Sequence, residues 1–303
     1  MLSGIPIPKD AIRPPETVLV NITPQETRVA VLEENNICEL HIERNSGHSL
    51  VGNIYLGVVR RVLPGMQSAF IDIGLERAAF LHIVDVLEQR RNPDETQRIE
   101  HMLFEGQSVL VQVIKDPINT KGARLSTQIS LAGRFLVHLP QEDHIGISQR
   151  IEDDTERNSL RERLTNLLPE DACHGYIIRT NAENATDEQL QSDIHYLTKV
   201  WEHIQEQAKI QPPETLLYQD LPLSLRVLRD MFSLDTQKIL VDSTENHRRM
   251  TRFAEQYVHG ALGRIELFKG ERPLFETHNV EQEISRALQP RVNLNFGSYL
   301  IIE

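Results

Sequence analysis

The sequence is poor in cysteine, in aromatic residues and in long apolar runs. Two cysteines, Cys38 and Cys173, in 303 residues support no disulfide framework, and their scarcity fits a reducing, cytoplasmic setting. No apolar run approaches the ~20 residues that span a bilayer, which excludes a transmembrane helix. The N-terminal stretch MLSGIPIPKDAIRPPE has four prolines and no apolar core, so it reads as a loose leader rather than a signal peptide. Repeats and low-complexity tracts are absent. No His/Cys cluster has the spacing of a metal site.

Positive charge is also scarce, since the net charge is −12, which argues against a general nucleic-acid coat protein. The distribution is uneven. Residues 48–134 hold ten Lys/Arg against nine Asp/Glu, so this segment is +1 and the remainder −13. Such a chain binds a polyanion through a few placed cations, not through a broad basic field.

The pattern along the chain is α+β and multidomain. TVLVNIT, ETRVAVLE and NICELHIER alternate as an antiparallel meander. LVGNIYLGVVRRVL is a long strand or a bent pair with Gly57 at the bend. MQSAFIDI, AAFLHI, SVLVQVIKD and ARLSTQIS complete five strands, with a charged insertion after the third, the pattern of an OB-type barrel. A second module follows. DDTERNSLRERLTNLL is a helix, GYIIRT a strand, and Thr186 with Gln189 a capping box for a helix whose apolar stripe is Leu190, Ile194, Leu197 and Trp201. Beyond QPPET, helices and strands alternate as α/β. RVNLNFGSYLIIE reads as a last strand within which the sequence stops, so the chain is expected to be a portion of a longer protein.

Within the barrel pattern, MQSAFIDIGLERAAFLHI sets a specific puzzle. Alternate side chains of a strand face opposite ways. Ala69, Ile71 and Ile73 share one face of the first strand, and Ala79, Leu81 and Ile83 one face of the second. Phe70 and Phe80 fall on the other, more polar faces. Either they offer stacking platforms to bases, each worth about 1–3 kcal/mol, or another segment covers them and they are core. Tyr55 falls by parity on the side of Asn53 and Arg61 and is a candidate to extend the platform. Lys121, beside Gly122 in a tight turn, is the candidate cation.

The residues VGNIYLGVVRRVLPGMQSAFIDIGLERAAFLH closely resemble the S1-type RNA-binding domain of the RNase E/G family of bacterial endoribonucleases. KDPINTKGARLSTQISLAGRFLVHLP, GISQRIE, IIRTNAE, LRVLRD and VNLNFGSYLIIE resemble that family in its order, from about Val18 to Glu303. LPGMQSAF and KDPINTKGARLST lie nearer its G branch. The resemblance implies a leader (1–16), a split RNase H-like subdomain (17–47 and 217–284), an inserted S1-type OB-fold RNA-binding domain (48–133), an α/β 5′-sensor domain (134–216) and the start of a DNase I-like catalytic subdomain (285–303). It implies that Phe70, Phe80 and Lys121 contact RNA and that Gly133, Val137, Arg179 and Thr180 form a pocket for a 5′-monophosphate. A guanidinium fork and a hydroxyl suit phosphate oxygens. Gln149, in GISQR, departs from members that carry a basic residue there.

The activity so implied is Mg²⁺-dependent cleavage of single-stranded A/U-rich RNA, with a 5′-monophosphate preference, in rRNA 5′-end maturation and mRNA decay, by a homodimer when full length. The two metal-binding aspartates of the family belong after YLIIE. Substitutes within the chain are not evident: Asp153/Asp154, Glu281/Glu283 and Glu33/Glu34 read as solvated faces. No catalytic residue and no bound metal are therefore assigned within 1–303, and the chain is expected to be inactive by itself. The rival reading is a stand-alone RNA-binding module without chemistry.

Overall fold

A computed structural model describes residues 15–44, 49–86, 98–118, 121–169, 175–233, 235–293 and 297–301. Most of the proline-rich leader, residues 87–97 with Arg90 and Arg91, Cys173, and parts of the last sequence motif lie outside the described residues. The chain divides into two compact units. One is Ser49–Asp220; the other joins Met1–His48 to Leu221–Glu303.

The strands in chain order are as follows. β1 (Glu16–Ile22), β2 (Glu26–Glu33) and β3 (Asn36–Arg44) form the antiparallel meander read from the alternation. β4 (Ile54–Leu63), β5 (Ser68–Asp72), β6 (Ala79–His82), β7 (Ser108–Lys115) and β8 (Arg124–Ser126) make the barrel. β9 (Leu131–Ala132), β10 (Leu136–Leu139), β11 (Ile145–Ile147), β12 (Gly175–Ile178) and β13 (Thr215–Tyr218) complete the inserted unit. β14 (Thr236–Val241), β15 (Ile265–Leu267), β16 (Arg291–Asn293) and β17 (Tyr299–Ile301) follow.

The barrel runs β4–β5–β6–β8–β7 and closes by pairing β7 back onto β4. Only the β6–β8 pair is parallel. This is a closed five-stranded barrel consistent with an OB fold. Its interior holds the predicted apolar face: Ala69, Ile71, Ile73, Ala79, Leu81 and Ile83, packed against Val59, Val111, Val113 and Leu125. Gly57 faces this interior, and a Cβ there would press into the methyl groups of Ile71 and Ile73. The irregularity of β4 is not at Gly57 but slightly later, a bulge between Val59 and Arg61.

The rest of the inserted unit is a four-stranded sheet, β11–β12–β10–β9, covered by two helices. The first, Asp154–Leu167, is capped by Asp153, whose carboxylate accepts from Thr155 and Glu156 N–H. The second, Asp187–Ile210, starts at the predicted capping box of Thr186 and Gln189. Leu190, Leu197, Trp201 and Ile204 bury its apolar stripe together with Leu160, Leu164, Tyr176 and Ile178.

In the flanking unit β1 pairs in parallel with β14, which pairs in parallel with β15, giving the order β15–β14–β1–β2–β3. Both faces of β1 are covered, so its residues are apolar without alternation. Val18 and Val20 pack with Met250 and Ala254 of the helix Thr244–Tyr257; Leu19 packs with Leu274, Phe275 and Val280. In place of one expected last strand there are two, β16 paired antiparallel with β17.

Candidate nucleic-acid interface

Phe70 on β5 and Phe80 on β6 stand directly opposite each other across the antiparallel pair. Their neighbours Ala69, Ile71, Ala79 and Leu81 point inward and are fully buried, so the two rings point outward. Both are half-buried and neither joins an apolar cluster. The ring centroids lie 6.2 Å apart at 66°, an edge-to-face pair. His82, two residues beyond Phe80 on the same face, has its ring 6.3 Å from Phe80. The outer face of the barrel thus carries three rings that its own core does not require.

Lys121 is exposed in the turn that leads into β8, next to β6. The β6–β8 contact fixes it: Phe80 N–H donates to the Ala123 carbonyl at 2.7 Å. A Cβ on Gly122 would strike the carbonyl oxygen of Ala78, so only glycine lets the Lys121 turn approach β6 this closely. Tyr55 corrects the parity argument. It is 5% exposed and packs inside the barrel with Val59 and Val111, so it offers no ring face to a base. The bulge between Val59 and Arg61 is the cause: an extra residue inverts the alternation, leaving Tyr55 inside and Arg61 outside.

The second group of candidates lies at one end of the β9–β10–β12 sheet. Val137 pairs with Ile177 on one side and Ala132 on the other, which brings β10 between Gly133 and the Arg179 segment. The Arg179 guanidinium donates to the Gly133 carbonyl at 2.5 Å, and its backbone N–H donates to Phe135 O at 2.9 Å. Thr180 follows directly and is half-buried. Gly133, Val137, Arg179 and Thr180 are therefore neighbours in space.

Asp193 holds this corner together, a role the sequence reading missed. Its buried carboxylate accepts three successive backbone N–H groups, from Arg134 (3.0 Å), Phe135 (2.8 Å) and Leu136 (2.9 Å). A Cβ at Gly133 would collide with that carboxylate, which explains the glycine. Burial raises the Asp193 carboxyl above the usual carboxylate range, opposed by the three N–H donors and by Arg179. The available signal was a carboxylate on the apolar stripe, at helical spacing between Leu190 and Leu197.

Among the described residues no three His, Cys, Asp or Glu side chains converge as a metal site. Of the acidic pairs, Asp153 caps a helix, while Glu281 and Glu283 pair with Arg28 and Arg286. No helix among the described residues is long and apolar enough to cross a membrane.

Comparison with known proteins decides the lineage. The model of the Ribonuclease E/G family matches residues 130–303. The chain belongs to the ribonuclease E/G family. Within the family it is 42% identical over 293 residues to Ribonuclease G of Escherichia coli (strain K12), covering 94% of this chain and 60% of that protein. It is 41% identical over 293 residues to Ribonuclease G of Haemophilus influenzae, covering 94% of this chain and 59% of that protein. Ribonuclease E of Nostoc sp. is 38% identical over 286 residues, covering 93% of this chain and 41% of that protein. The chain spans about 60% of the length of the family's Ribonuclease G members that it matches.

Proposed function

We propose that this chain is the RNA-recognition part of a ribonuclease G-like endoribonuclease. Single-stranded RNA lies across the outer face of the barrel with bases on Phe70 and Phe80, and Lys121 meets its backbone. A 5′-terminal monophosphate sits at Arg179 and Thr180, beside Gly133 and Val137. The observation that carries the reading is the Phe70–Phe80 pair, two facing rings outside a barrel whose core is complete without them.

Arg179 supports the 5′-end site, because the Gly133 carbonyl orients its guanidinium and a planar fork suits phosphate oxygens. On this reading residues 134–216 act as a 5′ sensor. The sheet order β15–β14–β1–β2–β3, with three antiparallel strands and two parallel additions, supports an RNase H-like subdomain interrupted by the inserted unit. Cleavage of the A/U-rich strand by metal-activated water is proposed for the whole protein, in the cytoplasm, and recognition for residues 1–303.

The test is a binding titration of this chain against an A/U-rich oligonucleotide bearing a 5′-monophosphate, its 5′-hydroxyl counterpart and a blunt RNA duplex. Tighter binding of the single strands than of the duplex, with a preference for the monophosphate, is expected. Equal affinity for single strand and duplex would overturn the platform, and equal affinity for the two 5′ ends would overturn the sensor.

A further inference from the structure

The sequence offers two adjacent arginines in VVRRVL. The structure separates them. Arg60 is neutralised, with its guanidinium 3.0 Å from the Asp72 carboxylate and 2.6 Å from that of Glu214. Arg61 is exposed and, among the described residues, has no carboxylate within ion-pair distance. The bulge after Val59 turns it to the outer face and sets it directly opposite Phe70.

The register then gives one transverse row. Arg61 on β4 pairs with Phe70 on β5, Phe70 with Phe80 on β6, and Phe80 with Arg124 on β8. Arg124 is engaged, with the Asp85 carboxylate 2.7 Å away. Among the described residues Arg61, beside Phe70, has no ion pair, and the exposed Lys121 lies in the turn that leads into β8. Arg61 and Phe80 are two strand spacings apart, about 10 Å. Two rings with these exposed cations match what a single strand presents: stackable bases joined by phosphates.

We infer that Arg61 is a further RNA-binding residue, which holds a backbone phosphate at the Phe70 end of the platform; this rests on the RNA reading above. A guanidinium suits the task because its planar fork meets two phosphate oxygens at once. Arg60 offsets one of the two negative charges of Asp72 and Glu214, which lessens their repulsion of a strand at this edge. Arg60 therefore tunes the surface, and Arg61 binds.

The experiment measures affinity of the whole chain for a short A/U-rich 5′-hydroxyl oligonucleotide, which leaves the 5′-phosphate pocket out, at several salt concentrations. Arg61→Gln, Arg61→Lys, Phe70→Ala and Phe80→Ala are compared with Lys199→Gln, which removes a charge from the exposed side of the helix Asp187–Ile210. Arg61→Gln should weaken binding by about tenfold and lower the slope of log affinity against log salt by about 0.7, one phosphate on a single strand. Arg61→Lys should restore the slope and only part of the affinity. Lys199→Gln should change neither. If both phenylalanine variants bind weakly while Arg61→Gln matches wild type, this inference alone fails. An equal loss in Arg61→Gln and Lys199→Gln would also overturn it, by reducing Arg61 to a share of net charge. Wild-type binding by both phenylalanine variants would overturn the platform itself, and Arg61's place on it.

Discussion

Phe70 and Phe80 face each other across β5 and β6, ring centroids 6.2 Å apart, on the side of the barrel away from its core. The residues on either side of them in sequence, Ala69, Ile71, Ala79 and Leu81, are fully buried. Two strands thus spend their inward positions on packing and one outward position each on an aromatic ring. An outward ring buries less apolar surface than an inward one, so the pair contributes less to folding than two core phenylalanines would.

Phe70→Ala and Phe80→Ala should each weaken single-stranded RNA binding by about 1–3 kcal/mol. Each should cost only about 0.5–1.5 kcal/mol of stability beyond its area term, the worth of the lost edge-to-face contact. Urea unfolding and fluorescence anisotropy on the same samples check this. A stability loss of about 3–5 kcal/mol with unchanged RNA affinity would return the rings to the core.

Tyr55 makes the opposite prediction. As a 5% exposed ring in the barrel interior, Tyr55→Ala should cost about 3–5 kcal/mol of stability. Tyr55→Phe keeps the ring, and its RNA affinity should equal that of wild type. A selective loss of RNA binding in Tyr55→Phe, with stability intact, would put the hydroxyl on the RNA path.

The contrast between Phe70 and Tyr55 shows what was legible in the sequence. Strand parity placed Phe70 and Phe80 correctly because β5 and β6 are short and unbroken. Parity failed for Arg61 relative to Tyr55 because one bulged residue, invisible to alternation, lies between them. The five barrel strands and the capping box of Thr186 were readable from local pattern. The parallel pairing of β1 with β14, more than 200 residues apart, carries no local mark. Asp193 was readable in principle, as an acid on an apolar stripe, but its three N–H partners belong to a turn about 58 residues away.

Asp193 gives a pH prediction with a definite sign. Burial raises its carboxyl in the folded state, so the native protein binds this proton more tightly than the unfolded chain. Its contribution to stability is fully present below the unfolded value of about 4 and is lost as pH rises through the folded value. Asp193→Asn does not titrate there. The stability of wild type minus that of Asp193→Asn should therefore fall as pH rises above about 4, read from urea midpoints at successive pH values. A difference that grows with pH would show that the three N–H bonds outweigh burial. Asp193→Ala should be costly at any pH, about 1–3 kcal/mol for each N–H left buried and unpaired.

Arg179 and Lys121 should separate the two ends of the RNA path. Arg179 is anchored by one N–H on the Gly133 carbonyl, so its orientation is fixed before any ligand arrives. A terminal monophosphate is compact and doubly charged, and an oriented fork beside the Thr180 hydroxyl can meet it. A 5′-hydroxyl offers no charge. Arg179→Ala should therefore abolish the preference for 5′-monophosphate over 5′-hydroxyl RNA while leaving affinity for the latter nearly intact. Lys121 is exposed on the barrel and touches no 5′ end in this scheme. Lys121→Ala should weaken both RNAs about equally and lower the salt slope by about 0.7. Because Asp193 shapes the turn that presents Gly133, Asp193→Asn should reduce the monophosphate preference as Arg179→Ala does, with Arg179 still present. A binding titration of the three variants against both RNAs at several salt concentrations makes the comparison. Equal losses on the two RNAs for Arg179→Ala would make that residue a general backbone contact, and an intact preference in Asp193→Asn would show that the pocket does not depend on the turn.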